Sequence, residues 1–298
     1  MKNQILALSN IFSHPLNKGN FIKTLLKLIW WKINQITFNI PCTIELEKNI
    51  LCICYPNSSY GSLIVYTRYP VYYELMFTKL FLKSNSIFFD VGAGFGDYSL
   101  VAASSIKKGK IYSFEPLNEE IKRLQQNIKI NNLEKIISVN NNVVSNTNGY
   151  VNFLVSKVNE MSHIALQKTE LKNSIKKKSV SINNFVKKQK IKNINLLKID
   201  VEGAEYKVLK GANELLKKQK IDVMIVEFNS NQRNNDSYRV SLIEYLENLN
   251  YFTYSLEKNG LVRIKDYSFV KTRNLFIINN NKTLFKRVNK IINKLLLH

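Results

Sequence analysis

A chain of 298 residues, 45% of them apolar, can bury a full core and holds one large domain, or one domain with an appended segment. Its formal net charge of +22 invites an anionic partner. The basic residues are mostly lysine, however, whereas bidentate phosphate and base readout favours arginine. Asn, Ile and Lys are abundant throughout, so compositional bias is preferred to nucleic-acid binding.

Targeting signals are equally sparse. No run reaches the roughly 20 apolar residues that span a bilayer; the longest, "FIKTLLKLIWWKI", is interrupted by Lys23, Lys27 and Lys32. No apolar signal core precedes a cleavage site at the start. Three crowded cysteines, Cys42, Cys52 and Cys54, with few histidines, argue against zinc and for thiols in a reducing cytoplasm.

In chain order, residues 20–35 read as an amphipathic helix with Phe21, Leu25, Leu28 and Ile29 on one face and lysines on another. Residues 36–66 read as short strands, and 71–83 as a helix. From "SIFFDV" onward, strands and helices alternate. "YSLVAASSI" is a helix, "KIYSFEP" a strand, and "NEEIKRLQQNIKINN" a helix with Asn118 as its N-cap. "IISVNNNVVS" is a strand, and 150–186 is irregular with a lysine cluster at 176–178. "INLLKIDV" is a strand, "AEYKVLKGANELLKK" a helix, "IDVMIVEFN" a strand and "SLIEYLENLN" a helix. "YFTYSLE" and "NLFIINN" are final strands. Apolar strands alternating with helices predict an α/β three-layer sandwich around a mostly parallel sheet. The expected organisation is an N-terminal extension over 1–75 that forms an acceptor lid, a main domain over 76–280, and a C-terminal amphipathic helix over 281–298. That helix carries Leu284, Val288, Ile291, Ile292 and Leu295 on one face. It and residues 20–35 are expected to pack on the core or between subunits, with peripheral membrane contact as the alternative.

The most informative stretch is "FFDVGAGFGDYS", residues 88–99. In a doubly wound sheet, ligands sit at the carboxyl ends of strands, and the turn after Val91 is such an end. The spacing Asp90-x-Gly92-x-Gly94-x-Gly96 departs from the dinucleotide pattern G-x-G-x-x-G. An acid before the first glycine suits a ligand with an ammonium group and would repel a pyrophosphate. Glu115 closes the next strand and can accept both hydroxyls of a ribose. Charge therefore favours S-adenosylmethionine over a dinucleotide.

Together, "FFDVGAGFGDYSLVAA", "IYSFEPLNEEIKRLQQNIKINNL", "NNVVSNTNGYVNF", "LLKIDVEGAEYKVLKGA" and "VMIVEFN" resemble the FkbM-type S-adenosylmethionine-dependent methyltransferases over roughly residues 75–230. "KIDVEGAE" followed by "LKGA" is the most specific part. The resemblance implies a class I (Rossmann-like) methyltransferase fold, S-adenosyl-L-methionine as cofactor, and methyl transfer to a hydroxyl of a sugar or natural product. It also implies that Asp90, Gly92, Gly94 and Gly96 hold the methionine end and Glu115 the ribose. Pro116 and Leu117 would flank the adenine, with Asn142 and Val143 near its far edge. The family usually has asparagine where this chain has Gly94.

Methyl transfer to a hydroxyl needs positioning and a route for the proton. Asp200 ends an otherwise apolar strand, Glu202 follows in the same turn, and Glu227 ends the next strand. An acid at such a strand end is poorly explained by packing. Glu205 is read as a helix N-terminal acid. His163, in the irregular section, titrates near neutrality. The expected catalytic residues are thus Asp200, His163 and Glu227, with Glu202 and His163 touching the acceptor; three oxygen ligands match no dedicated metal loop, so no metal is assigned. The acceptor is expected to be a small molecule or glycan met in the cytoplasm, its pocket built from residues 36–75 and 150–186. No nucleic-acid partner is expected.

Overall fold

The computed structural model describes residues 2–156, 162–164, 174–227, 236–265 and 274–297. The chain opens with helices α1 (Lys2–Ser13) and α2 (Phe21–Ile33); α2 runs into a wider helical turn over Asn34–Phe38. The hairpin β1 (Cys42–Glu47) and β2 (Ile50–Cys54) follows. Residues 59–67, expected to be strand, form helix α3 (Ser59–Thr67) instead. Ser58 caps it, its hydroxyl accepting from the Gly61 amide at 2.9 Å. That cap starts a helix despite the β-branched Ile64 and Val65. Helix α4 (Tyr72–Phe81) leads into the main sheet.

That sheet has eight strands. Five adjacent strands, reaching from the middle to one edge, are parallel: β3 (Ile87–Val91), β4 (Lys110–Phe114), β5 (Ile137–Asn140), β10 (Ile194–Ile199) and β11 (Ile221–Glu227). Helices α5 (Asp97–Ser105) and α6 (Asn118–Ile130) make the first crossovers. Leu117, not Asn118, caps α6, and no side chain bonds there. The expected strand 136–145 divides: β5 stays in the main sheet, while β6 (Val143–Val144) leaves it for a small second sheet. This sheet also contains β7 (Gly149–Leu154), β8 (His163–Ile164) and β9 (Ser174–Val180). It carries the lysines 176–178; residues 157–161 and 165–173 of that section lie outside the described residues.

Helix α7 (Ile182–Lys188) precedes β10. The helix expected over 204–218 is two short ones, α8 (Glu205–Gly211) and α9 (Asn213–Lys217). Gly211 allows close passage there, because a Cβ would lie 2.2 Å from the Ser145 carbonyl. Helix α10 (Asp236–Glu247) leads to the antiparallel strands β12 (Tyr251–Glu257), β13 (Gly260–Arg263) and β14 (Asn274–Asn279). Helix α11 (Lys282–Leu296) ends the fold.

Two apolar layers sandwich the sheet. One unites the hairpin, α3, α4, α5 and α11; Trp31, Leu46, Phe77, Phe276 and Val288 all belong to it. The extension before residue 75 therefore shares a core with the main domain. Asn127 of α6 and Asn131, its C-cap, tie the hairpin down at 2.7 Å, accepting from the Ile53 and Leu51 amides. Within the hairpin, Cys42 faces Cys54 across the strands, and all three cysteines are free thiols. Hydrogen bonding among neighbouring thiols, together with burial, raises the Cys42 thiol far above its ordinary range, which makes it unreactive.

Candidate active site

Strand register builds the site. Ile199 pairs with Val91 and Val226, and Val91 pairs with Phe114. The next residue of each strand therefore emerges in one row, with Asp200 between Gly92 and the strand-ending Glu227, and Glu115 beyond Gly92. The chain reverses its winding between β3 and β10, which is where open α/β sheets bind ligands. Gly92 has a positive φ of 75°, and a Cβ there would sit 1.7 Å from the Asp200 carbonyl oxygen. Gly94 is also left-handed, at 51°, but no atom of the described residues lies within 4 Å of a Cβ built on it. The family's asparagine would fit, since asparagine tolerates this region.

A cavity of about 880 Å³ opens above the row. One end is walled by Leu117, Val143, Phe153 and Ile164, which pack together; Pro116 and Asn142 join them on the wall. This gives a flat base an apolar slot. Glu115 lies at the junction, almost fully buried. It accepts from the Gly94 and Leu117 amides, each at 2.9 Å. Burial pushes its carboxyl up to about 7.

Asp90 and Gly96 are placed differently from the direct contacts expected of them, as neither lines the cavity. Gly96 instead faces Leu124, whose Cδ1 a Cβ would approach to 2.3 Å. Asp90 lies beneath the turn with no exposure. Its Oδ2 accepts from Ser99 at 2.6 Å, and its Oδ1 has no hydrogen-bond donor among the described residues. Burial raises its pKa. The acid that does reach the cavity is Asp97, which accepts from the Tyr60 hydroxyl at 2.9 Å. Burial pushes it up to about 6.

Lys198 was not among the expected site residues, yet it organises the floor. Its ammonium donates to the Gly92 carbonyl at 2.7 Å, and lies 3.3 Å from Asp200 and 3.8 Å from Asp90. Burial pulls its pKa down, but Asp200, Asp90, Asp97 and Glu227 outweigh that and hold it above the ordinary lysine range. The sequence carries a signal for it: in "INLLKIDV", a lysine interrupts the apolar run two residues before Asp200 on the same strand face.

Asp200, Glu202 and Glu227 all line the cavity, and one carboxylate oxygen of each lies within 4.8 Å of the others. Three such oxygens are a donor set that could hold a hard divalent cation. Glu205 accepts from the Gly203 amide at 3.0 Å, as a helix N-terminal acid does. His163 is not on the wall; its strand neighbours Ser162 and Ile164 are, because successive side chains alternate faces.

The far end of the cavity belongs to the N-terminal extension. Helix α1 contributes Asn10 and Ile11, and the turn after it His14; α3 and α4 contribute Tyr60, Tyr72 and Tyr73. His14 resembles a base but both its nitrogens are committed. Nε2 bonds the Tyr69 carbonyl at 2.8 Å, and Nδ1 accepts from the Leu16 amide at 3.3 Å. Burial lowers its pKa, and its two hydrogen bonds make it a brace for the wall.

Comparison with known families matches the Methyltransferase FkbM domain over residues 90–253, more than half of the chain. The protein belongs to the FkbM methyltransferase family and is an S-adenosylmethionine-dependent methyltransferase with a Rossmann-like α/β fold. Solved structures similar to it include a precorrin-6y C5,15-methyltransferase from Geobacter metallireducens, at 11% identity and a TM-score of 0.38, covering 69% of this chain and 84% of that one. A putative rRNA methylase from Clostridium thermocellum has 8% identity and a TM-score of 0.43, covering 68% and 90%. A putative methyltransferase from Streptococcus mutans, in complex with SAH, has 10% identity and a TM-score of 0.41, covering 70% and 95%. No curated protein matches the chain.

Proposed function

We propose that the protein methylates a hydroxyl of a saccharide, glycolipid or related natural product. The carrying observation is that one cavity joins a nucleoside-shaped half to an acidic, tyrosine-lined half. Bound S-adenosylmethionine supplies a methyl group on a sulfonium. The base would lie in the slot of Leu117, Val143 and Pro116, near Asn142. The Glu115 carboxylate would accept the ribose hydroxyls, and the turn Gly92–Gly96 would face the methionine end with Asp97 as the nearby acid. Asp90, Ser99 and Lys198 would hold that turn from below.

On the acceptor side, Asp200 is the base that takes the hydroxyl proton. Lys198 holds it in place through their ion pair at 3.3 Å, and Glu227 and Glu202 orient the acceptor. Tyr60, Tyr72 and Tyr73 give a sugar ring apolar faces and hydroxyl partners. Catalysis is then largely alignment of oxygen, methyl and sulfur.

The test starts with calorimetric titration of S-adenosylhomocysteine against NADH as control, followed by an acceptor screen with D200N. Binding of S-adenosylhomocysteine alone, with D200N binding it normally but turning over at least about a hundredfold more slowly, supports the reading. Equal turnover by D200N removes Asp200 as base. Chelation separates two roles for Asp200: activity that survives EDTA leaves it as base, whereas activity restored only by Mg²⁺ makes it a ligand with Glu202 and Glu227.

A further inference from the structure

Helix α2 buries little of its apolar surface. Thr24 and Trp31 are its buried residues and Lys27 and Leu28 are half-buried; in the turn that follows, Asn34 is buried and Gln35 half-buried. The polar residues have polar work to do there. Asn34 donates to the Ile40 carbonyl at 2.7 Å and Gln35 to the Pro56 carbonyl at 2.8 Å. Trp31 is anchored through its indole N–H to the Ser62 hydroxyl at 2.9 Å.

The apolar residues face outward. Phe21, Ile22, Leu26, Trp30 and Ile33 are all exposed; Ile22 stands at 73% and Trp30 at 51%. The turn that follows continues the belt with Ile36 and Phe38. At the other end, Phe12 of α1 stacks on Phe21 at 4.7 Å. Monomeric soluble proteins seldom leave so continuous an apolar surface to water.

Charge selects the occupant. The first 44 residues contain five lysines and no acid. Lys23, Lys27 and Lys32 lie on α2 itself. Lys27 is lowered by burial and then by the nearby charges of Lys23 and Arg68. A second copy docking by this face would set lysines against lysines with no carboxylate to match. An anionic bilayer supplies both complements: headgroups for the lysines and acyl chains for the apolar belt, with Trp30 suited to the boundary between them. The helix is 13 residues long, too short to cross the bilayer and suited to lying in its surface. We propose that α2 and the turn after it form a docking surface for an anionic lipid membrane.

The test is co-sedimentation of the full-length protein with phosphatidylcholine vesicles, with and without roughly one-third phosphatidylglycerol. Tryptophan emission and light scattering are recorded alongside. The expected result is binding to the anionic vesicles, with a blue shift that W30F removes. The variant I22E/I36E, which changes two outward residues, should lose at least about tenfold in partitioning while keeping its melting temperature. The proposal is overturned if the wild type stays in the supernatant. It is equally overturned if I22E/I36E sediments like the wild type, or if the protein is a dimer that I22E/I36E splits without any vesicle binding. None of these readouts involves methyl transfer, so their failure and that of the proposed reaction are separate.

Discussion

Helix α2 and helix α11 carry the same kind of sequence, lysines mixed with aliphatic residues at helical spacing, yet they meet opposite surroundings. On α11 the apolar stripe of Val288, Ile292 and Leu295 is buried against the core, and Arg287 reaches back to the Phe81 carbonyl. On α2 most of the apolar side chains face out, and only Thr24 and Trp31 are buried. The difference lies in what each helix is offered. Helix α11 finds α4 and the antiparallel edge strands, which are apolar. Helix α2 finds α3 and the Pro56 loop, which present the Ser62 hydroxyl and a free carbonyl. Amphipathicity says that a helix will bury one face, and the neighbouring surface decides against what.

The largest expected effect would break this comparison if it failed. V288D places an unpaired charge in a fully buried position and should cost roughly 4 kcal/mol or more. I22D, on the exposed side of α2, should stay within about 0.5 kcal/mol; urea unfolding of the two variants measures both. A similar contrast exists inside the glycine turn. G92A drives a Cβ into the Asp200 carbonyl and should cost roughly 3 kcal/mol, with loss of S-adenosylhomocysteine binding. G94N, which enters open space, should leave both within about 1 kcal/mol.

The comparison sharpens within α2 itself. W31F removes a buried indole and its hydrogen bond and should destabilise by about 2 kcal/mol, whereas W30F should not shift the thermal midpoint. A separate effect is read in pH and concerns Glu115, whose carboxyl burial pushes up to about 7. Only its ionised form accepts both ribose hydroxyls, so S-adenosylhomocysteine affinity should be full above pH 7. It should then weaken by about tenfold per pH unit as pH falls below that value. Calorimetry across pH checks this, and E115Q should bind more weakly with a flat profile.

Much of the fold was legible because β3, β4, β10 and β11 are apolar runs that only a buried parallel sheet explains, and "DVGAGFG" fixes where the cavity opens. The alignment of Asp200, Gly92 and Glu115 was implied by their places at strand ends. Three things were hidden. The helix at 59–67 is rich in β-branched and aromatic residues, and only the Ser58 cap distinguishes it from a strand. Asp90 was read as facing a ligand, whereas strand pairing turns it toward Ser99 and Lys198. The role of Lys198 depends on four carboxylates, and only Asp200 is its neighbour in sequence; the approach of Asp90, Asp97 and Glu227 is a convergence that no local pattern reports. The orientation of α2 depends likewise on what α3 presents.

Lys198 also constrains how this sequence can drift. Its ammonium is the shared counter-charge of Asp90 and Asp200. Losing it first would strand two acids in or beside the core, a step costing several kcal/mol. Losing Asp90 or Asp200 first leaves the lysine still paired with the other. The three positions are therefore coupled, and the effect of changing any one depends on whether the others have already changed.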